Sequence, residues 1–289
     1  MNAFFFGLGY SSNAASLALR SIDQTVSIAG TVRTAERQKM REASGLRAHL
    51  FDGTAPGPTL GPDLRASSHV ILSIAPGPDG DPALIHHRAD LDAAENLEWL
   101  CYYSTVGVYG DFDGAWIDES APLVPRNDRS DRRVLAEQAW RDYAAERGVK
   151  LAILRLAGIY GPGRSTFDKL ADGSARRVIK PGQVFNRIHV DDIGRVTALA
   201  AQARLEGTFN LADDEPAPPQ DLVTYAAGLM GIDPPPEVAF EDAEFTPMQR
   251  SFYADNKRVS NAAIKSALGI ELLHPNYRES LKAIWESMQ

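Results

Sequence analysis

Six short apolar runs, each followed by a helical or turn-rich stretch, alternate along the first two thirds of the chain. They read AFFFG (3–7), TVSIAGTV (25–32), RAHLF (47–51), HVILSI (69–74), WLCYYS (99–104) and KLAILRL (150–156). Several are nearly continuous in apolar residues, as strands are when both faces of a parallel sheet are covered. Between them lie helical patterns such as SSNAASLALRSI and DPALIHHRADLDAAENLEWL. This alternation predicts an α/β fold with a doubly wound parallel sheet. A later run, GTFNLA (207–212), is expected to rejoin the sheet after a helix beginning near Asp191. Residues 161–188 are rich in Gly, Arg and Lys, and 213–260 contain the proline-broken stretches DDEPAPPQ and GIDPPPE. The expected plan is a core over 1–160, rejoined by 189–212, with a smaller lobe drawn mainly from 161–289.

Composition narrows the class. A chain of 289 residues suits one large domain or a core plus a lobe. No apolar run approaches the ~20 residues that span a bilayer, so no membrane partner is expected. The opening MNAFFFGLGYSS lacks a basic segment, and no signal peptide is read there. Cys101 is the only cysteine, which excludes an intrachain disulfide and a multi-cysteine metal site. These features fit a cytoplasmic protein. A formal charge of −8 argues against nucleic acid as the main partner.

The first strand runs into Gly7-Leu-Gly9-Tyr10-Ser11-Ser12 and then a helix. Gly7 permits a tight turn, Gly9 lets the backbone approach a pyrophosphate, and the helix N-terminus offers unpaired N–H donors. Ser12 stands where a third glycine would, and is still small. Two glycines in a loop mean little alone; the strand–turn–helix order favours dinucleotide binding. The second strand ends in Thr31-Val32-Arg33-Thr34, with Glu36 and Arg37 further on. No carboxylate sits at the strand tip to hold a ribose 2′-hydroxyl, whereas Arg33 can pair with a 2′-phosphate. NADP is therefore the expected cofactor, with NAD the alternative; Arg33 as a solvated arginine is the plain reading. Asp52 is either an adenine contact or a turn residue.

Four stretches together resemble the short-chain dehydrogenase/reductase superfamily, in its extended or atypical branch of NAD(P)-dependent epimerases, dehydratases and reductases. They are the glycine loop, YSTVGVYGD (103–111), LRLAGIYGPGR (154–164) and NRIHVDDIGR (186–195). A weaker fifth is the C-terminal segment from Asn256 to Leu281. The resemblance implies a Rossmann-like core and a C-terminal lobe that binds a small-molecule substrate. It implies cofactor contacts at Gly7, Gly9, Tyr10, Ser11, Ser12, Ile74, Ala75, Ser104, Ala157 and Gly158, and substrate contacts at Tyr160, Arg164 and Arg187. It also implies a homodimer formed through helices at roughly 82–97 and 131–147. No metal is expected: His189, Asp191 and Asp192 lack a second nearby His or Cys cluster, and one aspartate serves better as an N-cap. His86 and His87 read as solvated surface.

The stretch NDRSDRRVLAEQAW (127–140) has good N-cap residues in Asn127, Asp128 and Ser130. It also puts Arg129, Arg132 and Arg133 in the first turn, where the helix dipole disfavours cations. In the resembled family this helix begins Tyr-x-x-x-Lys, usually followed four residues later by Glu. Anchoring on Glu137 puts Arg133 at the lysine position and Arg129 at the tyrosine position. An arginine stays protonated and cannot exchange a proton with substrate, but it can donate to ribose hydroxyls and supply charge. Arg129 and Arg133 share a helix face and are expected to meet an anion, the cofactor diphosphate region or a substrate carboxylate or phosphate, beside Thr105. Thr105 matches the family's hydroxyl donor. Pairing with Asp128 and Asp131 is the competing reading. Neither Tyr103 nor Tyr109 is a strong replacement acid. Two functions follow: an NADP-dependent oxidoreductase or epimerase-like enzyme on a small anionic substrate, or a non-catalytic NAD(P)-binding sensor.

Overall fold

The structure is a computed structural model that describes residues 1–289, the Met248 side chain excepted. The strands are β1 (Asn2–Phe6), β2 (Ser27–Val32), β3 (Arg47–Leu50), β4 (His69–Leu72), β5 (Trp99–Thr105), β6 (Trp116–Ile117), β7 (Lys150–Leu156), β8 (Gly158–Tyr160), β9 (Arg177–Ile179), β10 (Arg187–His189), β11 (Gly207–Leu211), β12 (Glu237–Ala239) and β13 (Arg258–Val259). The helices are α1 (Tyr10–Ile22), α2 (Ala35–Ala43), α3 (Gly61–Arg65), α4 (Pro82–Asp92), α5 (Asp128–Arg147), α6 (Thr166–Ala171), α7 (Val190–Ala203), α8 (Pro219–Met230), α9 (Pro247–Phe252), α10 (Ala262–Leu268) and α11 (Tyr277–Ser287).

Seven strands form one sheet in the order β11-β7-β5-β4-β1-β2-β3. The order reverses direction between β1 and β4, the doubly wound arrangement, and β1 pairs in parallel with both β2 and β4. All seven expected runs become strands of this sheet, with ends shifted by one or two residues. Continuous apolar runs suit these positions: Phe4, Phe5 and Phe6 are fully buried, as are Val70, Ile71 and Leu72. Burying one such side chain stabilises by about 1.5–3 kcal/mol, so the central strands dominate this core.

Two compact units divide the chain. The first contains residues 1–108, 128–155 and 193–209. There Gly194 of α7 lies so close to α1 that a Cβ would sit 2.8 Å from the Ala14 backbone. Trp99 ties β5 to the end of α7 by donating from Nε1 to the Leu205 carbonyl at 2.8 Å. Helix α4 ends at Asp92, short of the expected 97, with a non-helical residue at His87. His87 is buried rather than solvated: Nε2 accepts from the Gly57 N–H at 2.9 Å, and Nδ1 faces Asp90 at 3.0 Å. A neutral imidazole that both accepts and donates satisfies two groups inside the fold, which the helical pattern alone did not reveal.

The second unit contains residues 109–127, 156–192 and 210–289. Its strands form three parallel pairs, β10 with β8, β12 with β9 and β13 with β6. Tyr160, Phe167, Ala226, Tyr277, Leu281 and Ile284 form its core. The buried Tyr160 hydroxyl donates to Ser280 Oγ at 2.6 Å, which satisfies the one polar atom it carries inward.

Candidate functional site

In the first unit, Gly7 has φ +97 and donates its N–H to Thr31 Oγ1 at 2.8 Å. A Cβ there would come within 2.7 Å of Ser73 Oγ, so both conformation and space require glycine. Gly9 is the N-cap of α1, without a side-chain cap, and a Cβ at Gly9 would meet nothing within 4 Å. The side of Gly9 that a Cβ would occupy therefore borders open space at the start of α1, where an anion could approach the backbone. Ser12 is buried and its hydroxyl bonds Ser73 Oγ at 2.9 Å, so it ties the loop to the end of β4. Tyr10 and Ser11 are half-buried in the same turn, Ile74 is half-buried beside Gly7, and Ala75 is exposed.

Arg33 is exposed just past β2, and Thr34 caps α2 by accepting from the Arg37 N–H at 3.3 Å. Arg41 escaped the sequence reading. Its Nε donates to the Leu8 carbonyl at 3.1 Å and its Nη1 bonds Asn13 Oδ1, so it braces the glycine loop from α2. Burial and nearby Arg37 lower its pKa. The four-residue spacing of Arg33, Arg37 and Arg41 was the available signal. Asp52 is exposed, and one carboxylate oxygen accepts from the Thr54 N–H at 2.9 Å and hydroxyl at 2.7 Å. These bonds hold its carboxyl below the usual range and commit that oxygen to a turn.

Arg129 is exposed in the first turn of α5. Arg133 is half-buried and donates from Nη1 to the Tyr103 carbonyl at 2.6 Å and to the Tyr102 hydroxyl at 3.1 Å. Its guanidinium also lies 5.6 Å from the Tyr102 ring centroid. Helix α5 is thereby fastened to β5 through Arg133. Thr105 Oγ1 accepts from the Gly107 N–H at 3.1 Å. A Cβ at Gly107 would lie 3.1 Å from Ser130 Oγ and 3.4 Å from Thr105 Oγ1, so the two hydroxyls flank that glycine.

Ser104 is turned inward and donates to Glu137 Oε1 at 2.6 Å. Glu137 also receives the buried Arg155, at 3.1 Å from Nε and 2.7 Å from Nη2. A two-point guanidinium–carboxylate pair with a hydroxyl on the same carboxylate leaves little unsatisfied charge in the interior. Burial pushes the Tyr102 and Tyr103 phenols far up, and the Tyr103 hydroxyl bonds Thr197 at 2.7 Å. The Tyr109 hydroxyl donates to Asn210 Oδ1 at 2.7 Å within the second unit.

Also in the second unit, Ala157 is buried with its N–H on the Leu211 carbonyl, and Gly158 is exposed with its N–H on the Asn186 carbonyl. Arg164 is exposed at the end of the Gly161–Arg164 turn. Arg187 is buried and donates from Nη1 to the Phe185 carbonyl at 2.9 Å and the Ala217 carbonyl at 3.0 Å. Asp213 donates its N–H to the Arg187 carbonyl at 2.6 Å, while both its carboxylate oxygens are buried without a hydrogen-bond partner. Burial pushes its carboxyl up to about 8, against the pull of Arg187. No sequence pattern had marked it.

Asp192 lies inside the first turn of α7. It is fully buried, and its two oxygens accept from the backbone N–H groups of Leu273 and His274 at 2.7 and 2.9 Å. That clamp brings His274 onto His189, with ring centroids 3.7 Å apart. Burial and His274 hold His189 well below the usual histidine range.

Residues 89–212 match the model of the NAD dependent epimerase/dehydratase family. A conserved protein of unassigned function from Silicibacter pomeroyi DSS shares 43% identity over 99% of both chains, with a TM-score of 0.87. A structure from Methylobacillus flagellatus, assigned as an NAD-dependent epimerase/dehydratase, shares 25% identity over 99% of this chain and 98% of that one, with a TM-score of 0.72. Protein YeeZ of Escherichia coli K12 is 30% identical over 165 residues, 55% of this chain and 56% of that protein. The matches span about half the length of the curated relatives. Over residues 89–212 the chain resembles the NAD dependent epimerase/dehydratase family, and its glycine turn and seven-stranded parallel sheet agree with that resemblance.

Proposed function

We propose that the chain binds a nicotinamide dinucleotide on the β1–α1 loop, NADP in preference to NAD, and works as an oxidoreductase or epimerase-like enzyme on a small anionic substrate. The observation that carries this is the Gly7–Ser12 turn, whose Gly9 faces open space at the start of α1. The absence of a carboxylate on the β2 tip, together with exposed Arg33, supports the 2′-phosphate preference. Thr105 and Ser130 offer hydroxyls at the end of β5, Arg129 offers charge, and Arg133 orients the cofactor side of α5. In the second unit Tyr160, Arg164 and Arg187 are the proposed substrate contacts, and the buried guanidinium of Arg187 is the natural partner for a carboxylate or phosphate.

Calorimetric titration with NADPH and NADH tests the cofactor reading. NADPH is expected to bind more tightly, and Arg33→Ala to narrow the gap by about 1–3 kcal/mol; equal affinities in the unmodified protein would sink it. A second reading, an NAD(P)-binding sensor without turnover, is favoured by the anchoring of Arg133 to the Tyr103 carbonyl. NADPH oxidation across a library of carbonyl compounds separates the two, since a sensor binds the cofactor and leaves it unconsumed.

A further inference from the structure

His189, Asp191 and His274 each present a ligand atom within 4.8 Å of the others, all inside the second unit. His189 Nδ1 and His274 Nε2 both lie 3.7 Å from Asp191 Oδ2. We propose that this trio is a binding site for a divalent transition ion of the zinc or cobalt class, with two imidazoles and one carboxylate as protein ligands.

The donor set suits such an ion. Imidazole nitrogen and carboxylate oxygen bind zinc at about 2.0–2.2 Å, which places tetrahedral ligand atoms about 3.4 Å apart. The two nitrogen–oxygen separations of 3.7 Å need to close by only a few tenths of an ångström, and the two nitrogens lie within 4.8 Å of each other. The positions are held from outside the trio. Asp192 fixes the backbone at Leu273 and His274 with two hydrogen bonds, and the His189 ring packs at nearly a right angle to Tyr160. Orienting contacts of this kind reduce what must be ordered when a metal arrives.

His189 offers the ion its Nδ1 lone pair. It is 1% exposed, and its Nε2 is buried without a hydrogen-bond partner. Its Nδ1 accepts only from the Asp191 N–H, at 3.2 Å. Because Nδ1 accepts, the ring proton sits on Nε2, and Nδ1 is the nitrogen free to bind a cation. A metal would take the lone pair now held by that single long bond. Asp191 is exposed and His274 half-buried, so the ion has a path in from solvent. With three protein ligands, the fourth position remains for water, and the site would pin the β10–α7 turn to the segment before α11. The proposal does not depend on the cofactor reading.

Tag-free full-length protein, stripped with EDTA, is titrated with zinc chloride by calorimetry and with cobalt chloride by visible absorption. One equivalent of zinc is expected to bind with a Kd of about 10 µM or tighter. A cobalt absorption band of tetrahedral type is also expected, and zinc should raise the Tm. His274→Asn and Asp191→Asn change partly exposed side chains, and each is expected to weaken zinc binding at least tenfold with an unchanged circular dichroism spectrum. Absence of saturable binding below about 1 mM overturns the proposal. So does undiminished affinity in both variants, which would assign the zinc to other histidines.

Discussion

Replacing Asp213 with Asn should remove a pH-dependent weakness from the second unit. The folded carboxyl titrates at about 8 and the unfolded one at its ordinary 3.8, because burial penalises the anion more than Arg187 favours it. Asp214 and Glu215, on the same loop, add repulsion. The folded state therefore binds more protons than the unfolded state between about pH 4 and 8. Stability falls as pH rises through that window and levels off above it. From pH 6 to pH 9 the difference integrates to about two pH units, or about 3 kcal/mol at ~1.4 kcal/mol per unit. That is a sizeable part of the 5–15 kcal/mol typical of a folded protein. Asparagine keeps the shape and cannot ionise, so its own burial cost does not vary with pH. Urea denaturation of both proteins at pH 6, 7, 8 and 9 isolates the effect, since other titrating groups cancel in the difference. The wild type should lose about 2–3 kcal/mol relative to Asp213→Asn across the series, nearly all of it below pH 8. Parallel curves, within about 0.5 kcal/mol at every pH, would refute the reasoning and place Asp213 in contact with water.

The arginines of α5 give a gain-of-function test. Installing the family pair as Arg129→Tyr with Arg133→Lys should create carbonyl reductase activity with NADPH, measured by loss of nicotinamide absorbance; an inactive but folded, cofactor-binding double variant would mean more than the proton donor is missing. Arg133→Ala alone should weaken NADPH binding by about 1.5–3 kcal/mol in calorimetry if the guanidinium also reaches the ribose, and unchanged affinity would assign Arg133 solely to holding Tyr103. A homodimer through α4 and α5 would have little apolar surface to bury, because Leu91, Leu97 and Trp140 are buried within the chain and Ile85 and Leu135 are the large exposed apolar groups there. Sedimentation at micromolar concentration should still show a dimer, and a lone 31.5 kDa species would remove the idea.

The sequence by itself determined the sheet and the glycine turn. Strands buried on both faces must be apolar along their whole length, so β1, β4, β5 and β7 announce themselves locally. Gly7 likewise answers to a backbone requirement, positive φ beside Ser73, that only one residue type meets well. Patterns of period and composition carry no information on which distant side chains meet, and there the tertiary structure decided. Ser104 was legible as a strand end, yet its bond to Glu137 and the Glu137–Arg155 pair needed β5, α5 and β7 side by side. His87 looked like surface until the Gly57 N–H arrived from thirty residues upstream. His189 was set aside as a metal ligand for want of a second histidine. That histidine, His274, is brought to it by the carboxylate of Asp192 across eighty-two residues of sequence. Asp213 became a buried carboxyl near Arg187 only when the loop after β11 met β10. Local sequence sets which backbone conformations are cheap; the pKa of a carboxyl and the partners of an imidazole depend on desolvation and through-space neighbours, which exist only once the chain has folded.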